Sequence, residues 1–259
     1  MRRSRFILGL MIACLAPLLL AAAAAPAANP SQSAAGRGQV IEDLKLASKI
    51  LAKDVNFSVY LPPDYATSAR RYPVVYLLHG LSDDDSGWIQ FGEVHLAADR
   101  AIAEREIPPM IIVMPDGGVT WYINDFEGKA EFDDMFVQEF IPHIDAAFRT
   151  RPKKEFRGIA GLSMGGWGAL THAMRHRELF TACAAYSAAV WTEADMGAMP
   201  PDRYDRMFGP LFGARPEGKP SDTSLKLNPL SLAATLPVDE LRKVRFYVDC
   251  GDDDFLIAG

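Results

Sequence analysis

The sequence predicts an α/β fold built on a doubly wound, mostly parallel sheet with helices on both faces. Three observations predict it. Short, continuous apolar runs, "YPVVYLLHG", "PPMIIVMPDGG", "FRGIAGLS", "FTACAAYSA" and "VRFYVDCG", recur along the chain, each bounded by Gly, Pro or Asp. Runs of that kind suit strands buried on both faces of a parallel sheet. Helical patterns lie between them, and strand-helix alternation with right-handed crossovers winds such a sheet. The length of 259 residues is enough for one large domain with a substantial core. In a fold of this kind the ligand site lies at the carboxyl ends of the strands.

The chain opens with "MRRSRFILGLMIACLAPLLLAAAAAPAANP", three arginines followed by an apolar run and a small-residue stretch. That is the order of a secretory signal peptide, with a cut after Ala27 at A-P-A. A transmembrane anchor is the competing reading, but the strongly apolar part is short for a bilayer span. Export to the periplasm or medium is therefore expected, with no stable membrane span after cleavage. Residues 28–38, "ANPSQSAAGRG", are small and polar and read as a flexible lead-in, and residues 39–259 as one domain.

Within that domain, "DVNFSVYLPPDY" alternates apolar and polar residues before a Pro-Pro turn and reads as an early strand with one face buried. The run "YPVVYLLHG" follows, then a helical segment around "HLAADRAIAERE", then "PPMIIVMPDGG". Phe136, Phe140, Ile144 and Phe148 recur at four-residue spacing in the next helix, which Pro142 should kink. A further helix begins at Met164, between the runs "FRGIAGLS" and "FTACAAYSA". Cys183 and Cys250 sit in apolar runs and read as buried free thiols rather than a disulfide.

A composition of 49% hydrophobic and 23% charged residues is globular, and the net charge of -6 argues against a nucleic-acid partner. Oligomeric state has no signature here. The aspartate runs 83–85 and 252–254 match no calcium-loop pattern, so no metal and no cofactor are expected.

"GLSMG" at 161–165 satisfies G-x-S-x-G, a pattern that a random chain of this length holds about one time in ten. Context strengthens it. A strand, "RGIAG", precedes Ser163 and a helix, "MGGWGALTHAM", follows it. A sharp strand-to-helix turn holds such a serine in a strained conformation with its oxygen exposed. The N–H of Met164 at the helix start then faces the place where an oxyanion would form. A second donor is expected from the loop in "LLHGLSDDDSGW", at Leu81. Trp121 and Tyr122, after "MPDGGV", lie at another strand end where they would line a substrate pocket or pack at its rim. Trp88 reads as packing.

The stretches "YPVVYLLHG", "PPMIIVMPDGG", "TWYIND", "IAGLSMGGWGAL" and "DCGDDDFL" resemble the α/β-hydrolase esterases that include feruloyl and acetyl-xylan esterases, tributyrin-type esterases, S-formylglutathione hydrolases and mycolyltransferases. The resemblance runs from about residue 40 to the last residue. It implies a serine hydrolase acting through an acyl-enzyme on Ser163, with Leu81 and Met164 as oxyanion donors and a small-molecule or carbohydrate ester as substrate. It also maps the triad acid to Asp254 within "GDDDFL"; composition alone does not choose among Asp252, Asp253 and Asp254. Acyl transfer of the mycolyltransferase type and non-catalytic ligand binding are the alternatives.

A serine needs a base within hydrogen-bond reach, and the order in this fold is serine, acid, histidine. No histidine follows Asp254. His172 and His176 are nine and thirteen residues beyond Ser163, about 13 and 20 Å along a helix. His95 and His143 lie in helical segments, and His79 reads as shaping the oxyanion loop. The expectation is a C-terminally incomplete chain that lacks its last strand, helix and catalytic histidine and turns over little ester.

Overall fold

The apolar runs form the middle of a seven-stranded mixed sheet in a computed structural model that describes residues 36–215 and 221–254. The proposed export segment lies outside the described residues. The strands are β1 (Gln39–Ser48), β2 (Lys53–Leu61), β3 (Val74–Leu78), β4 (Ile111–Pro115), β5 (Arg157–Leu162), β6 (Ala182–Tyr186) and β7 (Arg245–Asp249), in the order β1-β2-β4-β3-β5-β6-β7. From β4 to β7 neighbouring strands are parallel, while β2 is antiparallel to both β1 and β4.

Strand β3 shows why its sequence is a continuous apolar run. Val74, Tyr76 and Leu78 enter the larger core on one face, Val75 and Leu77 the smaller core on the other, and all five are buried. Helices α1 (Gly87–Gln90) and α2 (Val94–Ala103) cover the smaller core through Ile89, Val94, Ala98 and Ala101. The larger core is covered by α3 (Phe132–Met135), a π-helical turn (Phe136–Phe140), α4 (Ile141–Ala147) and α5 (Met164–Arg175). Among the described residues no helix is long and apolar enough to cross a membrane.

The disturbance expected at Pro142 takes a definite form. Pro142 stands in the first turn of α4, and the five residues before Ile141 are wound as a π-helix. Proline has no N–H to continue the ladder and its ring crowds the preceding turn, so the bonding shifts there. Phe136, Phe140 and Ile144 remain on the core face, fully buried.

Two features are not anticipated by apolar periodicity. Strand β1 has a half-covered face only and carries a bulge between Ile41 and Leu44, so its sequence lacks a continuous apolar run. Between β6 and β7 the chain forms α6 (Glu193–Ala198), α7 (Pro201–Met207), α8 (Gly209–Phe212), α9 (Asp222–Leu227), α10 (Pro229–Thr235) and α11 (Val238–Leu241). Prolines at the first turns of α7, α8 and α10, and caps from Thr192, Ser221 and Asn228, cut this stretch into short pieces. The pieces are tied to the sheet-covering layer. Thr171 of α5 donates to Leu227 O at 3.1 Å, and Asn228 donates to Trp191 O at 2.9 Å. Cys183 is buried and Cys250 half-buried, and both are free thiols.

Candidate active site

Ser163 closes β5 and caps α5 with φ 56° and ψ -115°, a backbone conformation that a residue with a Cβ rarely adopts. Three main-chain bonds hold it there. Its N–H donates to Tyr186 O at 3.0 Å, and its carbonyl accepts from Trp167 N at 3.0 Å and Ala189 N at 3.1 Å. The strain is thus imposed by the neighbouring strand β6 and the first turn of α5. The side chain makes no capping bond, which leaves its hydroxyl to other partners.

The two glycines of the motif are required by space. A Cβ at Gly161 would lie 2.2 Å from Gly165 O, and one at Gly165 would lie 2.4 Å from Leu78 O and 2.6 Å from His79 O. All three obstacles are backbone, so the turn closes only with glycine at both positions. At Gly80 a Cβ would stand 3.6 Å from Leu162 O and 3.7 Å from that of Ser163, so the loop leaving β3 passes directly beside the serine. Leu81 follows in that loop with its side chain half exposed. Met164 is the first residue of α5, with its side chain fully buried and its N–H among the first-turn donors that lack an intrahelical acceptor. Serine, Leu81 and the positive end of α5 therefore meet at one edge.

His79 is held at both ring nitrogens. Gly117 N–H donates to Nε2 at 2.9 Å, and Nδ1 lies 2.8 Å from Gly80 O. Because Nε2 accepts, the partners assign the neutral tautomer with the proton on Nδ1. The ring braces the loop and has no nitrogen left for Ser163. Tyr122 completes the brace from the β4 side: it is fully buried, and its hydroxyl donates to His79 O at 3.0 Å. Burial pushes its phenol well above the ordinary range, so it stays a donor. Trp121 is also buried, packed against Trp167, Trp191 and Phe208 with ring centroids 5.4 to 5.7 Å apart. Trp121 and Tyr122 both have positive φ, 54° and 61°, which turns the chain sharply after β4. Trp88 donates its indole N–H to Leu78 O at 3.1 Å, a further tie on the same strand end. Tyr122→Phe would strand His79 O and is expected to lower the unfolding free energy by about 1–3 kcal/mol. Urea denaturation with an unchanged m-value checks it.

Asp254 follows β7 and is half-buried, in a turn where its N–H donates to Gly251 O at 3.1 Å. In register, Leu162 of β5 pairs with Tyr186 of β6, and Tyr186 with Asp249 of β7. Ser163 and the "GDDD" loop therefore leave the same edge of the sheet two strands apart, on the order of 10 Å. His95 lies in α2 and His143 in α4, while His172 and His176 lie at the far end of α5 beside Asp133. None of the five histidines stands between Ser163 and Asp254.

A family model described as "Putative esterase" matches residues 48–258, most of the chain. The chain belongs to this esterase family. A solved ferulic acid esterase superposes with a TM-score of 0.73 at 31% identity, covering 86% of this chain and 82% of that one. An esterase of Mycobacterium tuberculosis is 38% identical over 144 residues, 54% of this chain and 30% of that protein. An endo-1,4-beta-xylanase/feruloyl esterase of Xylanibacter ruminicola is 36% identical over 151 residues, 54% of this chain and 20% of that protein. The matched segment thus spans less than a third of either curated relative. The family is one of carboxylic ester hydrolases with the α/β-hydrolase fold, and the esterase chain described above shares its mostly parallel sheet.

Proposed function

We propose that this esterase-family chain is an exported serine carboxylic-ester hydrolase that works through an acyl-enzyme on Ser163. The observation that carries the reading is the strained serine at φ 56°, ψ -115°, with the loop of Gly80 and Leu81 beside it. Ser163 Oγ attacks the ester carbonyl, and the oxyanion accepts hydrogen bonds from the N–H groups of Leu81 and Met164. The alcohol leaves, and water hydrolyses the acyl-enzyme. Asp254 orients a histidine that transfers the protons. The five histidines of these 259 residues are engaged or remote, so none of them is assigned that role.

Names of relatives support the substrate class: one is an endo-1,4-beta-xylanase/feruloyl esterase, and another an acetyl esterase. Short-chain or carbohydrate-linked esters are accordingly the proposed substrates. Export is supported by the arginine-led apolar start of the sequence. The test is product analysis on acetylated xylan and methyl ferulate with the longest native form of the protein, with and without an acceptor alcohol. Free acid as the product supports hydrolysis; an ester of the added alcohol as the main product, or no reaction with either substrate, overturns it. The 259-residue chain is expected to show only the residual rate that oxyanion donors provide, some ~10³-fold over water.

A further inference from the structure

We propose that Asp133, His172 and His176 form a binding site for one divalent transition-metal ion of the zinc class, which pins the helix behind Ser163 to α3. His172 and His176 are four residues apart at the end of α5, so both imidazoles share one face. Asp133 meets them from α3: its Oδ1 lies 3.0 Å from His172 Nδ1 and 2.8 Å from His176 Nε2. One potential ligand atom from each of the three residues falls within 4.8 Å of the others. Two imidazoles and a carboxylate are the N₂O set favoured by zinc and its neighbours rather than by calcium or magnesium.

A further observation points to an ion. His172 is 1% exposed, yet neither ring nitrogen has a hydrogen-bond partner, although Nδ1 is so close to Asp133. A short N···O separation without hydrogen-bond geometry is how two ligands of one ion sit, and an orphaned buried imidazole is otherwise costly.

Arg175 Nη1 binds the second oxygen, Oδ2, at 2.5 Å. Its charge opposes an added cation, but it is paired with Oδ2, which leaves Asp133 a single-oxygen ligand through Oδ1. His176 is 20% exposed and gives the ion its way in and a water for the fourth position. The π-helical turn begins three residues after Asp133 and sets the Phe136 ring at a tilt against His172 with centroids 4.8 Å apart, walling the site on its inner side. His172 is nine residues from Ser163, about 13 Å along α5, so the ion is structural and takes no part at the ester.

The test is a Co²⁺ and Zn²⁺ titration of the full chain after chelator treatment and dialysis. Expected are one equivalent bound, visible Co²⁺ d–d absorption, displacement by Zn²⁺ and a raised thermal midpoint. His176→Ala should abolish the absorption. Glu178→Gln, at a carboxylate that stands 3.8 Å from His176 Nδ1 and is too far to hydrogen-bond it, is the control and should leave Co²⁺ binding unchanged. No Co²⁺ absorption from folded wild-type protein at millimolar metal overturns the proposal. So does binding that survives His176→Ala unchanged, which places the ion elsewhere.

Discussion

Ser163→Ala is expected to abolish ester hydrolysis by any form of the protein that carries the base, with a loss in kcat of about 10⁴- to 10⁶-fold and no labelling by a fluorophosphonate. The fold should not change. The Ser163 side chain makes no capping bond, and the three bonds that hold the turn are made by its main chain. The unfolding free energy of the variant should therefore lie within about 0.5 kcal/mol of the wild type. Steady-state kinetics, probe labelling and urea denaturation on the same preparations separate a lost nucleophile from a lost fold. Hydrolysis that persists in a folded Ser163→Ala protein would sink the acyl-enzyme reading.

Gly165→Ala should do the opposite, destroying structure and site together. The new Cβ would sit 2.4 Å from Leu78 O and 2.6 Å from His79 O, and those carbonyls are not free to retreat. Leu78 O accepts from the Trp88 indole and His79 O from the Tyr122 hydroxyl. Either α5 lifts from the sheet or the loop carrying Leu81 moves. The expected cost is about 3 kcal/mol or more. Gly158→Ala is the matched control in the same strand region, since its Cβ meets nothing nearer than Val75 Cγ2 at 3.6 Å. It should fold normally. A Gly165→Ala protein as stable as the control would contradict the steric argument.

The parts of this chain legible in its sequence are those whose causes are local or repetitive. Val74 to Leu78 are apolar without interruption because both sheet faces are covered, so the run itself announces a central strand. The strand-Ser-helix order around Ser163 is written within a dozen residues, and its strained turn is where the order places it. Strand β1 was less legible because one of its faces is only half covered. The helices between β6 and β7 are mostly of four to seven residues, too short for a 3.6-residue period to declare itself. Their common purpose is seen in the packing of Trp191, Phe208 and Phe212 against Trp121 and Trp167.

The sequence by itself determined the α/β architecture, the strand-Ser-helix turn and the loop beside it, since each follows from neighbouring residues and from burial periodicity. Tertiary structure alone decided what His79 and Tyr122 do. His79 takes its Nε2 partner from Gly117, and Tyr122 spends its hydroxyl on His79 O, contacts that span 38 and 43 positions of chain. It also decided that Asp133 meets two histidines about forty positions away. Hydrogen bonds and ligand sets depend on distances of about 3 Å between atoms, and separation along the chain carries no information about such distances until the strands have paired and the helices have docked.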